Sequence, residues 1–535
     1  MIEFSAEGKE ARATPAAPVG GNMLDRRGVL RAGAYMSAAG MVAALTGRDD
    51  AGAASRIPST PSPQPPGNPN WQELEKMLGP GSRLYLPKEP KFPSLAQPWN
   101  LRYEDRKPMG IVSCATAKDV KAALLWAQDN HMPLAARAGG HNYAGYSTTT
   151  GLLISVRPMS EVTALPGKRL RIAGGATNGD VAKAGAGKTN LYVPGGRCVG
   201  VGIAGLTLGG GLGFNDRKWG LTCDNLVETE VVLADGRIVR ANGTDRPDLF
   251  WACRGGAGSN FGINTSFVYN AVDVSQTTAT FFRLTFHPRD GVEVMKIVQE
   301  GLLARDHDNN LDIRIEFENP GTGRDNVNVA VLGQYLGDDS ATRTKLGALL
   351  KMGPAEQSIE QLGFWAAQEK LSMVSEHETV ASKSLVPAKW LPAETVKEIV
   401  EWTLRWEPHR AGNSGYVTLF AMGGKAGEPR PADTAFPHRG ATFVIDVGTS
   451  WHPETKPEAV KHLLAQTRTI HGRLSKELNT SAAYVNFPDP DLTDWHTAYY
   501  GNNYSRLTQI KAEYDPHQVF RYDQGIPPRP SSGAE

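Results

Sequence analysis

The residues of this chain best equipped for chemistry are a histidine directly after two glycines, a lone cysteine inside a second glycine run, and a group of tyrosines. The histidine lies in Arg137-Ala138-Gly139-Gly140-His141-Asn142-Tyr143-Ala144-Gly145-Tyr146-Ser147. Paired glycines let backbone N–H groups approach an anion closely and tolerate positive φ. His141 then stands at the mouth of the loop, and Arg137 adds a fixed charge on the same turn. The second run, Pro194 to Gly213, holds Gly202, Gly205, Gly209, Gly210, Gly211 and Gly213 around Cys198. So many glycines predict backbone packed tightly against a flat partner, and a lone cysteine sits inside the run. A third glycine loop runs from Asp248 to Ile263 and includes Asn260 and Gly262. The Asn260 amide can hydrogen-bond a ring or a polyol chain. Any one of these loops alone reads as an ordinary turn; three in one chain predict a site.

The cysteines are Cys114, Cys198, Cys223 and Cys253. An even count leaves disulfides open if the protein is exported. Cys114 and Cys253 stand in apolar contexts and equally suit buried small hydrophobes.

The elements that must position these residues follow from length and pattern. With 535 residues, 40% hydrophobic and 58 glycines, the chain suits a loop-rich α+β protein of more than one part. A net charge of +1 gives no electrostatic case for nucleic acid or an acidic membrane surface. Asp25-Arg26-Arg27-Gly28-Val29-Leu30-Arg31 precedes a small-residue apolar run, Ala32 to Leu45, and Ala51-Gly52-Ala53 offers a cleavage site. This pattern resembles a twin-arginine export signal and implies the twin-arginine machinery as a partner. It places the mature protein in the bacterial periplasm or outside the cell. The run is too short and too rich in Ala and Gly for a stable membrane span. Met23 is an alternative start. Residues 1–54 are therefore read as signal and leader, and 55–99 as a Pro-rich linker and lead-in.

Thr116 predicts a helix cap, with Val120, Ala123, Leu124 and Ala127 on one helical face. Strands are expected at Met132–Arg137, Leu152–Val156, Leu170–Ala176 and Glu228–Leu233, the last closing at an Asp235-Gly236 hairpin turn. Farther on, Leu311-Asp312-Ile313-Arg314-Ile315-Glu316-Phe317 alternates strictly, and 326–332, 416–421 and 441–447 are further strands. Helices fit 290–303, 340–351 and 392–402, and Lys511 to Phe520 reads as a helix breaking at Asp515-Pro516.

In order, these motifs resemble the berberine bridge enzyme-like flavoprotein oxidases of the vanillyl-alcohol oxidase superfamily. The resemblance runs from about Asn100 to Ile263 and returns at Tyr484-Val485-Asn486-Phe487-Pro488-Asp489 and Tyr499-Tyr500-Gly501-Asn502-Asn503-Tyr504-Ser505-Arg506-Leu507. It implies an α+β fold with a two-part PCMH-type FAD-binding domain (100–275 and 486–527). Between them an inserted substrate domain (276–485) would be an antiparallel sheet backed by helices, one sheet face roofing the flavin. It implies FAD bound covalently through His141 and Cys198. The cofactor would be lined by Arg137, Ala138, Gly139, Gly140, Asn142, Ser147, Val201, Gly202, Gly205, Gly209, Gly210, Gly211, Gly213, Asn260, Gly262, Ile263, Tyr500 and Asn502. Val201 matches an oxygen-gating position at which valine favours oxidases. Tyr484 matches a base over the flavin, Tyr143 a pocket tyrosine, and Tyr416 and Asp446 fall on strands facing the ring. The implied partners are a small-molecule substrate and O2, with no metal. The implied reaction is hydride removal from an alcohol carbon of a sugar, oligosaccharide or other secondary alcohol, with H2O2 released. Natural-product tailoring, or a dehydrogenase with another acceptor, keeps the fold and changes the chemistry.

Overall fold

The computed structural model describes residues 69–529 apart from Ser375. The twin-arginine pattern and leader lie outside the described residues. Four strands form the first sheet in the order β1-β2-β4-β3: β1 (Arg83–Tyr85), β2 (Gly110–Ser113), β3 (Leu134–Arg137) and β4 (Leu152–Ser155). β3 and β4 pair in parallel, which aims the C-terminal end of β3 at the Gly139-Gly140 loop. The helix between β2 and β3, Ala117–Asp129, starts where Thr116 accepts from Asp119 N, and buries Val120, Ala123, Leu124 and Ala127 against these strands. The second sheet comprises β5 (Val162–Leu165), β6 (Arg169–Ala173), β8 (Leu226–Val232), β9 (Ile238–Asn242) and β10 (Ile263–Asn270), in the order β5-β6-β10-β8-β9. Two short strands, β7 (Leu191–Tyr192) and β11 (Val272–Asp273), pair beside it.

A seven-stranded antiparallel sheet follows, in the order β15-β12-β14-β13-β17-β18-β16. Its strands are β12 (Thr278–Phe286), β13 (Leu311–Asn319), β14 (Asn328–Tyr335), β15 (Glu356–Gly363), β16 (Val380–Leu385), β17 (Ser414–Ala421) and β18 (Phe443–Ser450). Alternation decides its two faces. Ile313, Ile315, Phe317, Val417, Leu419, Ile445 and Val447 fill a core with the helices Ala393–Arg405 and Pro457–Glu477. Arg314, Glu316, Tyr416, Thr418 and Asp446 take the opposite face, which is not a solvent face: Arg314 and Asp446 are both buried.

Two buried arginines tie this sheet to the glycine-rich segment. Arg217 donates to Leu311 O and Met422 O. Arg439 forms a bidentate pair with Asp224 at 2.6 and 2.8 Å, a charge-assisted geometry stronger than a neutral hydrogen bond. Several segments differ from expectation. The C-terminal helix spans Tyr504–Tyr514: it ends at the expected break before Asp515-Pro516 but starts well before Lys511. Residues 515–520 are instead a turn whose N–H groups at Val519 and Phe520 are held by the Asp515 carboxylate. The 21-residue helix Pro457–Glu477 and strands β15 and β16 were not among the expected elements; β16 carries three polar residues in a row, Ser382-Lys383-Ser384, and so lacks period-two alternation. The helix is interrupted by Thr and His, which weakens its apolar stripe.

All four cysteines are free thiols. No helix among the described residues is long and apolar enough to cross a membrane.

Candidate active site

The histidine and cysteine loops touch. A Cβ on Gly139 would lie 2.3 Å from Gly202 N and 2.4 Å from Gly200 O, so only glycine permits the approach. Gly140 takes φ +76° to turn the chain toward His141. The His141 ring stacks on Trp99 at 4.0 Å, and its Nε2 is buried without a partner in the protein. Burial, with His377 as a lesser cause, holds the imidazole down to about 3. It is thus neutral at ordinary pH, the form in which a ring nitrogen can act as a nucleophile. The Cys198 thiol is half-buried; burial raises its pKa, while Arg197 and Arg314 oppose the rise. The site thus supplies the cations that would support a thiolate.

The sheet face closes the other side. Asp446 is buried on β18 and accepts from Ser382 Oγ at 2.5 Å. Burial pushes its carboxyl up to about 7 despite that hydrogen bond. Tyr416 folds its hydroxyl over Gly448, its cross-strand partner and the next residue but one after Asp446 on the same face. Tyr143 and Tyr416 are partly open, and both phenols are raised by burial and then by the Asp446 charge. Tyr143 is held from behind by Asn100, whose amide donates to Tyr143 O at 2.7 Å and to Val380 O at 3.0 Å. Its ring stacks on Phe487 at 5.5 Å and 4°. A cleft of about 330 Å³, open mouth included, is lined by Tyr143, Ser382, Lys383, Asp489 and Asp491, among others. Within it Lys383 bonds both Asp489 and Asp491.

Several expected roles change. Tyr484 is buried, and its hydroxyl accepts from Gly211 N, Leu212 N and Asn486 Nδ2 at 3.0–3.3 Å. Burial raises its pKa. It is a neutral brace for the glycine loop and is badly placed to be a base. Arg137 spends its guanidinium on the carbonyls of Leu95, Ala96, Gln97 and Ser147, which shapes the loop rather than charging the ligand side; one nitrogen, Nη2, stays buried without a partner. The Asn142 oxygen accepts from Ala144 N and Tyr146 N, and Ser147 Oγ donates to Gly140 O. Asn260 uses its whole amide on Gly256 O, the Tyr522 hydroxyl and Ile526 N, so its side chain is not offered to a ribose. Gly262 is packed against Val231, and Ile263 begins β10 in the core. Tyr500 is buried with its hydroxyl on Gly256 O. Asn502 is exposed. The neighbouring Asn503 is the buried amide, donating to Pro431 O, Thr434 O and Ala435 O.

The glycine run also differs from expectation. Gly209 packs on Asn486, Gly210 on Phe436, Gly211 (φ +88°) on Thr222 and Gly213 on Gly195 O. Most of its glycines make room for the protein itself. Gly205 is the exception: it is exposed within the helix Ile203–Leu208, and a Cβ there would meet nothing within 4 Å. Ala138 lies against Gly202, and half-buried Val201 donates its N–H to Cys198 O. The unpartnered His141 nitrogen, the half-buried Cys198 thiol and the opening above Gly205 fit an FAD reached by both nucleophiles.

Sequence reasoning missed Arg314, Ser382, Trp99 and Phe487. Arg314 lies between the Phe214 and Phe420 rings at 4.3 and 4.4 Å, and burial lowers its pKa to about 9. The alternation of β13 already put Arg314 and Glu316 on one face; nothing local showed that this face was buried.

Residues 108–242 match the family described as FAD binding domain, and residues 483–527 match berberine and berberine like. The chain is 33% identical over 468 residues to the uncharacterized FAD-linked oxidoreductase YgaK of Bacillus subtilis (strain 168), covering 85% of this chain and 98% of that protein. It is 28% identical over 477 residues to the carbohydrate oxidase of Microdochium nivale, covering 84% and 93%. The structure of xylooligosaccharide oxidase from Myceliophthora thermophila C1 in complex with xylobiose superposes with a TM-score of 0.74 at 25% identity, over 86% of this chain and 99% of that one.

Proposed function

Since the chain belongs to the berberine bridge enzyme-like FAD-linked oxidoreductases, we propose that it oxidises an alcohol carbon of a carbohydrate or another secondary alcohol, with FAD tethered through His141 and Cys198 and with O2 reduced to H2O2. A bound FAD would supply the two-electron acceptor, with O2 as the terminal oxidant. The chain's own part is proton transfer, positioning and exclusion of water. One observation carries the reading: a buried carboxyl, Asp446, is fixed by Ser382 Oγ on the sheet face that also carries Tyr416, where burial raises it to about 7. A base poised near working pH combines the ionised form with useful basicity.

In this reading Asp446 accepts the substrate hydroxyl proton while the hydride leaves the same carbon, giving a carbonyl. Ser382 Oγ fixes the carboxylate. Tyr143 and Tyr416, kept as neutral phenols, donate hydrogen bonds to the substrate oxygen. Trp99, Tyr143 and Phe487 form a connected aromatic wall against which a flat substrate face can lie. Likeness to carbohydrate oxidases supports a sugar as substrate. The same wall also suits aryl alcohols, the tailoring alternative. Val201 supports O2 as acceptor.

The test is a peroxide assay of purified holoenzyme against mono- and oligosaccharides in one arm and aryl or allylic alcohols in the other. Turnover confined to sugars selects the first reading and turnover confined to aryl alcohols the second. A flavin that no alcohol bleaches under nitrogen sinks both. Export by the twin-arginine route belongs to the same proposal. It is supported by Arg26-Arg27 with the following apolar run and by four free thiols, which suit folding in a reducing compartment before export. N-terminal sequencing of the protein outside the cytoplasm tests it; an uncleaved cytoplasmic chain overturns it.

A further inference from the structure

A group of metal-ligating side chains lies outside the redox site, between the helix Ala393–Arg405 and the helix Pro457–Glu477. Glu407 and His409 stand on the connection that leads from the first helix to β17, and His462 stands on the second helix. One ligand atom from each lies within 4.8 Å of the other two. The two imidazole rings are 4.4 Å apart, and Glu407 Oε2 is 3.8 Å from His409 Nε2. We propose that Glu407, His409 and His462 bind one divalent transition ion of the zinc class.

The donor set suits that class. Two imidazoles and one carboxylate, with a solvent-facing fourth position, satisfy a tetrahedral ion. Bonds of about 2.0–2.2 Å place tetrahedral ligand atoms roughly 3.4 Å apart, so modest rotamer adjustment closes the present triangle. The backbone is already fixed to hold it. Glu407 N donates to Gln466 Oε1 at 2.9 Å, and Gln466 Nε2 returns to Glu407 O at 3.1 Å. Gln466 lies one turn after His462, so the same helical face carries both the clamp and the ligand. Beneath them Trp406, Trp451 and Leu463 are buried together. His409 adopts φ +56°, a left-handed conformation uncommon for a non-glycine residue, which turns its ring toward His462. Such a ligand cage would fasten the segment feeding β17, the strand that carries Tyr416, to the last long helix of the sheet's backing layer. It is separate from the flavin chemistry: no residue of the triad is among those placed around Asp446.

The test uses untagged, full-length holoenzyme, stripped with chelator and exchanged into metal-free buffer. ZnCl2 is titrated calorimetrically, and thermal unfolding is followed in parallel. His409→Asn keeps a residue that tolerates the left-handed conformation while removing the imidazole, and His462→Gln keeps the helix. The expected result is one Zn2+ per chain at micromolar affinity, weakened at least tenfold in each variant, with a zinc-dependent rise in Tm that both variants lose. Flavin absorbance and circular dichroism of the variants should match the parent, which separates loss of a ligand from loss of the fold. Absence of stoichiometric binding up to millimolar zinc overturns the proposal, as does undiminished binding in His462→Gln.

Discussion

Asp446→Asn should make the enzyme more stable and nearly inactive at once. Burial raises this carboxyl from 3.8 to about 7, so the folded chain holds the proton more tightly than the unfolded chain does. The stabilisation from that proton is complete below about pH 4 and is lost as pH rises through 7, leaving a buried charge above it. At about 1.36 kcal/mol per pKa unit, the full penalty is about 4 kcal/mol. An asparagine carbonyl still accepts from Ser382 Oγ, so the exchange removes the charge and keeps the hydrogen bond that closes β16 onto β18. For a chain of this size, about 2.1 cal/mol/K per residue translates 1 kcal/mol into roughly 1 °C. Thermal unfolding should therefore show a gain of about 2–4 °C at pH 8 and none at pH 4. Turnover with the best alcohol substrate should fall about 10²–10⁴-fold, the contribution of a positioned base. A gain equal at both pH values, or a loss of stability at pH 8, would refute the buried-charge argument. Turnover reduced less than tenfold would refute the base assignment.

Tyr484→Phe removes the acceptor shared by Gly211 N, Leu212 N and Asn486 Nδ2; denaturant unfolding should show a loss of about 1–3 kcal/mol, with turnover changed less than tenfold in the folded fraction. His141→Ala and Cys198→Ala should each leave FAD on a single bond, and the double variant should release it on acid precipitation, as read by intact mass. Lys511 is fully buried and donates to Asn260 O, Asp515 Oδ2 and Phe520 O at 2.6–2.7 Å. Lys511→Met strands the Asp515 carboxylate and should destabilise the chain by about 3–5 kcal/mol in the same unfolding assay. Val201→Leu should slow reoxidation of the reduced enzyme by air more than it slows reduction by substrate, measured by stopped flow.

Local backbone conformation and the chemistry of single positions were legible in the amino-acid sequence. Gly139-Gly140-His141 and the run around Cys198 are conformational demands written into consecutive residues, and the loops they predict are where the nucleophiles stand. Thr116 and the alternation of Leu311 to Phe317 fixed a helix start and two faces of a strand for the same reason. Tertiary structure decided what each face meets. Asp446 and Ser382 are 64 residues apart in sequence and become partners only through the register of β16 on β18. Asn502 and Asn503 look alike in the chain, yet the short helix Gly501–Asn503 exposes the first and buries the second beneath residues 431–435. Tyr484 carries a plausible base, but the Gly211 and Leu212 amides claim its hydroxyl. Glu407, His409 and His462 form no motif because strands β17 and β18 separate the second histidine from the first. Side-chain type and period are local properties; the partner that desolvates, neutralises or charges a group is chosen by packing between segments far apart in the chain.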